Sequence, residues 1–219
     1  YRYCHSLSGS AFCIVAHDFH QKTRESTVRK QMGIKEITWL GGLGIFLLLL
    51  KVNYDYAIIT AALLILVFTF LFDRNKLWAW IPALCVGIFF VLTIRDMYSS
   101  YNVFTIKIRG LMLFPMLAWA LMLMLWYLVV EPYFQHDIWW RKWVTNALLF
   151  CAGLIIFEYI GYHVLGVRLA AGTAYPGWPV LDIFHAPWWM QLSYFFNGIA
   201  YIGIVAFVEN IMKRRHNPD

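Results

Sequence analysis

Residues 61–72 read "AALLILVFTFLF", twelve positions with one hydroxyl and no charge. Residues 117–130, "LAWALMLMLWYLVV", extend the same pattern. Neither run alternates polar and apolar side chains, whereas a transmembrane β-barrel is built from alternating segments of about ten residues. In hydrocarbon every backbone N–H and C=O must find its partner within the protein, which leaves helices as the other solution. Crossing about 30 Å of hydrocarbon takes roughly 20 helical residues. Six apolar runs approach that length, at 37–52, 56–72, 77–94, 110–130, 143–166 and 188–208. They predict an all-α polytopic membrane helical bundle of six transmembrane helices.

The whole chain has the composition such a bundle needs. Hydrophobic residues make up 61% of its 219 positions and charged residues 14%, and its mean hydropathy is +0.61. A soluble domain carries about 25% charged and 45–50% apolar residues, so this chain lacks the polar surface to coat a water-soluble globule. Of its 18 Lys and Arg, 13 fall on the N-terminal side of the predicted spans and five (Lys51, Arg95, Lys107, Arg109 and Arg168) on the other. Basic residues concentrate in cytoplasmic loops, so both termini are expected in the cytoplasm, in a multi-pass protein of the cell membrane. The net charge of +6 is explained by this topology. No basic and aromatic stripe for stacking bases is visible, and no nucleic-acid partner is expected.

Residues 1–31 differ in kind from the rest. They lack an opening methionine, and "AFCIVA" (11–16) is too short for a signal h-region. "MGIKEITWLGGLG" from Met32 reads as an ordinary start running into a span, so residues 1–31 are read as an extension and 32–219 as a single six-helix domain. Cys4, Cys13, His17 and His20 have the residue types of a zinc site, but their spacing departs from the short Cys pairs of common zinc modules, and no metal is expected. Pro115 is expected to kink the fourth span, and the tryptophans at 78, 80, 139, 140, 143, 188 and 189 to anchor at headgroup level.

The functional question is raised by "FEYIGYHVLG" (157–166), where Glu158 lies inside the fifth span. Counted from Trp143 it is about 15 residues in, roughly 22 Å along a helix, past the midplane. A carboxyl there must face the bundle or a wet cavity and be protonated or paired. Glu158 and Tyr162 share a helix face, as do Tyr159 and His163. Glu158 and His163 lie about 140° apart on a regular helix and can share a target only if the helix loosens near Gly161. The loop that follows, "GVRLAAGTAYPGWPVLDIFHAPWW" (166–189), is rich in Gly and Pro, which exclude a regular helix through most of it. It brings Arg168, Trp178, Asp182 and His185 to the same side as Arg95 and Arg109. The sixth span adds Ser193, Asn197 and Tyr201 at four-residue spacing, while Glu209 and Asn210 at its far end are expected to meet Lys213.

If these residues converge, they form a cavity with acid, base and cation. Glu158, His163, Asp182 and His185 are the candidate catalytic groups. Arg95, Arg109, Tyr162, Arg168, Trp178 and Asn197 are the candidate substrate contacts. The chain shows no Asp-rich diphosphate motif, no histidine array for a di-iron centre, no Ser/His nucleophile motif and no Gly-rich phosphate loop, so it names no cofactor. Glu158-x-x-Gly161 with the Gly/Tyr/Pro loop after it is loosely similar, over some thirty residues, to membrane carotenoid hydratases and cyclases, and no residue role is carried over from that similarity. Three readings follow: an enzyme modifying a lipid or isoprenoid by acid/base chemistry, a binding or transport protein for a small lipophilic or anionic solute, or an accessory subunit packed on other membrane proteins.

Overall fold

A computed structural model describes residues 37–216 except 39, 43, 47, 51, 100 and 135–137, and the side chains of these apart from those of 99, 215 and 216. Met32 and the Cys4, Cys13, His17 and His20 set lie outside the described residues. The chain forms two compact units, Tyr1–Ile45 and Phe46–Asp219. Five helices are long and apolar enough to cross a membrane: α1 (Tyr54–Phe72), α2 (Arg74–Thr93), α3 (Leu113–Tyr133), α4 (Trp139–Val164) and α5 (Trp188–Arg214). A shorter apolar helix, Leu40–Leu50, lies within the first predicted span, beside the five long helices among the described residues.

The long helices are apolar all round. Leu63, Phe89, Leu148 and Phe196 are each more than half exposed, and such a surface is at home only against lipid. The protein is an integral, multi-pass membrane protein. One end of the Phe46–Asp219 unit carries the start of α1 and the connections 94–112 and 165–187. The other carries the α1–α2 and α3–α4 turns and the end of α5. These are called below the loop end and the C-terminal end.

α2 packs along α3 and α4 along α5, with α1 also against α3 and α2 also against α5. Lipid removes the hydrophobic drive between helices, so close backbone approach at small residues has to replace it. A Cβ on Gly87 of α2 would stand 3.1 Å from the Met116 carbonyl of α3, and one on Gly198 of α5 would sit 1.9 Å from the Phe150 ring of α4. The Trp143 indole N–H donates to the Ile199 carbonyl at 3.1 Å and binds the same two helices together.

Local sequence sets the ends of the helices. Asn53 caps α1 by accepting the Tyr56 N–H on its side chain. α3 starts at Leu113, so Pro115 falls in the first turn. The missing N–H costs nothing there, which removes the reason for the expected kink. Irregularity appears elsewhere, as π-helical turns at Trp126–Val130 of α3 and Ile160–Val164 of α4. Trp139, Trp140, Trp188 and Trp189 are exposed at helix ends, whereas Trp80 is buried and belongs to the core.

Candidate functional site

The two loop-end connections form one cap. Asn102 donates to the Gly166 carbonyl at 2.7 Å and accepts the Arg168 N–H at 2.7 Å, while its own N–H donates to the Arg168 carbonyl at 3.1 Å. Asp55, buried in the first turn of α1, accepts from the Thr105 N–H at 2.7 Å, the Thr105 hydroxyl at 2.9 Å and the Ile106 N–H at 3.3 Å. The Tyr54 hydroxyl reaches the Leu165 carbonyl at 3.1 Å. The sequence reading passed over Asp55, although an aspartate one residue inside an apolar helix, in "NYDYAII", was the available signal.

Glu158 stands under this cap. It is half-buried, receives no hydrogen bond from the described residues, and lies within electrostatic reach of Tyr98, Tyr101, Tyr194 and His185. The tyrosines belong to an aromatic wall. The Tyr98 hydroxyl donates to that of Tyr194 at 3.3 Å, and Tyr101 stacks on Tyr98 at 6.0 Å. Phe90 of α2 sits edge-on to Tyr98, Trp119 and Tyr194. Burial raises the pKa of Tyr98 above the ordinary phenol range; its hydrogen bonds to Tyr194 and Trp119 offset part of this and the charge of Glu158 adds to it. Tyr101 is raised for the same first reason, with the neighbouring Tyr98 and Glu158 contributing. Both hydroxyls are thus held as neutral donors.

His185 is the most constrained of the predicted site residues. Its ring stacks on Tyr162 with centroids 4.4 Å apart and planes 14° from parallel. Nδ1 meets the Tyr175 carbonyl at 3.1 Å, and Nε2 meets the Asp182 carbonyl at 3.1 Å and the Asp182 carboxylate at 3.2 Å. Two glycines make room for it: a Cβ on Gly177 would come within 2.7 Å of His185 Nε2, and one on Gly172 within 2.8 Å of its carbonyl oxygen. The backbone around it is strained. Asp182 and Phe184 have φ of +49° and +56°, a region that disfavours residues with a Cβ and is found where surrounding structure enforces it. The Arg168 guanidinium lies over the Tyr162 ring, 4.9 Å from its centre. Tyr162 therefore joins Arg168 and His185 in one row of contacts, with Asp182 against the imidazole and Glu158 within its electrostatic reach.

The other predicted residues are placed differently, although the His163 ring also meets Tyr162 edge-on, with centroids 5.2 Å apart. The helix does loosen beyond Tyr159, with the Leu165 N–H donating to the Ile160 carbonyl at 2.9 Å in the π turn. His163 nevertheless follows Tyr159, its ring 4.7 Å away, and its Nε2 meets the Leu181 carbonyl at 3.0 Å on an exposed face. It makes no described contact with Glu158. Arg95 is exposed just beyond α2. Arg109 is exposed at the tip of a small hairpin, β1 (Lys107–Ile108) with β2 (Leu111–Met112). Its φ of +50°, with +81° at Gly110, is what a two-residue hairpin turn demands, so its position serves the turn. Trp178 donates to the Gln191 side chain at 2.8 Å and packs on Phe184 and Phe195. Asn197 is buried one turn below Tyr194, and its Nδ2 has no hydrogen-bond partner.

A second polar centre, at the C-terminal end, escaped the sequence reading. Lys142, 5% exposed, is paired with Glu131 of α3 and, at 2.5 Å, with Glu209 of α5. The other oxygen of Glu209 accepts the Tyr127 hydroxyl at 2.6 Å. Glu209 thus takes Lys142 and Tyr127 as partners in place of the expected Lys213. Lys142 sits in "WWRKW", where a basic residue is accounted for by topology alone, and its two partners are distant in sequence.

Compared with known proteins, the chain matches no family model, no curated protein sequence and no solved structure at a significant level.

Proposed function

We propose that the protein is a membrane enzyme that modifies a lipophilic molecule, a lipid or isoprenoid, by acid/base chemistry beneath the loop-end cap. The observation that carries this reading is Glu158: a half-buried carboxyl within an apolar helix, without a hydrogen bond from the described residues and set against buried tyrosines and His185. A carboxyl in lipid is costly, and such residues mark functional sites. Here Glu158 is the proton donor. The carboxylate left behind takes a proton back from the substrate, while His185, whose two ring nitrogens face the Tyr175 carbonyl and the Asp182 carbonyl and carboxylate, lies beside it as a positioning residue. Tyr101 offers a neutral hydroxyl to a developing negative charge on oxygen, and Tyr98, donating to Tyr194, holds the wall behind it. Arg168 and Tyr162 at the mouth hold a polar head. The basic residues Arg74, Lys76, Arg141 and Lys213 support a cytoplasmic C-terminal end, which turns the site toward the opposite leaflet.

The test is Glu158→Gln, which keeps shape and removes the titrating group, expressed in place of the parent. Lipid and pigment extracts of the two strains are compared by chromatography and mass spectrometry. A precursor accumulating in the variant, and in a His185→Asn strain, is the expected outcome. Extracts identical to those of the parent, with the variants inserted at parental levels, overturn the enzyme reading.

A further inference from the structure

The second polar centre opens into a cleft of about 320 Å³ lined by Lys76, Glu131, Pro132, Glu209, Met212 and Lys213. That volume is at the lower end of sites that take small ligands. The cleft lies where three helices leave the apolar region: Lys76 is in the opening turn of α2, Glu131 in the closing turn of α3 and Lys213 near the end of α5. Its charges are arranged by depth. At the floor, the carboxylates of Glu131 and Glu209 both pair with the ammonium of Lys142. At the rim, the Lys76 ammonium stands over the Tyr127 ring, 4.9 Å from its centre, and Lys213 is exposed.

A wholly anionic ligand would meet carboxylates at the floor, and a bare cation would have to pass two lysines. A ligand carrying both signs, anion outward and cation inward, satisfies both layers. The Glu209 carboxylate accepts one hydrogen bond on each oxygen, from Tyr127 and Lys142. A carboxylate has about four acceptor positions, so a cation that donates N–H bonds suits it better than one that cannot. Clefts between transmembrane helices at headgroup depth with basic rims are places where lipid heads bind. We propose that this cleft binds a phospholipid head bearing a phosphate and a primary ammonium, with the phosphate between Lys76 and Lys213 and the ammonium on Glu209. The site is separate from the Glu158 centre, and neither reading depends on the other.

The experiment uses the full-length protein in detergent, incubated in turn with phosphatidylethanolamine, phosphatidylcholine and phosphatidylglycerol of the same acyl chains, and retained lipid is counted by native mass spectrometry. Phosphatidylethanolamine is expected to be retained at least fivefold over phosphatidylcholine, whose quaternary ammonium donates no N–H bond, and over phosphatidylglycerol, which has no cation. The double substitution Lys76→Gln and Lys213→Gln, both outside the buried ion pairs, is expected to lower the retention of all three lipids at least fivefold, in a protein that still unfolds cooperatively. Equal retention of the three lipids by the parent, a preference for phosphatidylglycerol, or retention undiminished by the double substitution overturns the proposal. Competition by soluble glycerophosphoethanolamine as strong as that by the lipid would assign the cleft to a soluble phosphate ester instead and overturn the lipid.

Discussion

Replacing Lys142 by Met removes the one ammonium between Glu131 and Glu209 while keeping most of the side-chain volume. Lys142 and Glu131 side chains are 7% and 6% exposed and that of Glu209 18%, so water can relieve little of the charge left behind. Breaking a buried ion pair by removing one partner costs about 3–5 kcal/mol, because the survivor stays buried and uncompensated. Glu131 and Glu209 both border the open cleft, and Glu209 keeps its Tyr127 hydrogen bond, which places the expected loss near the lower bound, about 3 kcal/mol. For a domain of this size that is roughly 6–12 °C in unfolding temperature. The assay is thermal unfolding of detergent-solubilised protein followed by tryptophan fluorescence. A companion carrying Lys142→Met with Glu131→Gln and Glu209→Gln removes the stranded charges as well, and most of the stability should return. If Lys142→Met unfolds within 1 °C of the parent, or if the companion is less stable than the single variant, a buried triad does not tie α3, α4 and α5 together.

Asp55→Ala should release the 101–109 segment, which loses three hydrogen bonds to a charged acceptor, at about 1.5–3 kcal/mol for each such bond at most; limited proteolysis should then cut there, and parental resistance would refute the anchor. Gly198→Ala should impair folding, because its Cβ would fall 1.9 Å from the Phe150 ring, whereas Gly161→Ala, with nothing within 4 Å, should not; similar yields of the two would contradict the α4–α5 packing. The pKa values of Tyr98 and Tyr101 are raised in the folded protein above an unfolded value of about 10. Their contribution is therefore complete below about pH 10 and is lost as pH rises toward the folded values. Tyr98→Phe should flatten the alkaline fall in stability by up to about 1.4 kcal/mol per pH unit, and parallel curves for the two proteins would show that this hydroxyl is wet.

The helices were legible because a span must be long and apolar, and that demand is written in consecutive letters. α1 and α2 fall close to the runs 56–72 and 77–94 for this reason. Their ends were less legible. Pro115 in an apolar run reads as a kink, and only the start of α3 at Leu113 turns it into a first-turn residue. In the candidate site, Tyr162, Arg168, Asp182 and His185 could be gathered because they lie within about 25 residues of chain, and helix spacing orders them. What remained hidden depends on partners far apart in sequence. Asn102 joins two loops, Asp55 holds Thr105, and Lys142 meets carboxylates on two other helices. Spacing along one helix carries no trace of these. His163 shows the converse: chemically apt and close in sequence to Glu158, it is turned to an exposed face by its contacts with Tyr159 and Leu181.

The proposed chemistry requires a lipophilic molecule against Glu158 beneath the cap. The most direct measurement is mass spectrometry of the organic extract from protein purified out of its own membrane, parent and Glu158→Gln side by side. A single non-phospholipid species held by the parent in near-stoichiometric amount, and lost or exchanged for a precursor in the variant, is what the account predicts. The same bulk lipids from both preparations, with no species particular to the parent, would contradict it.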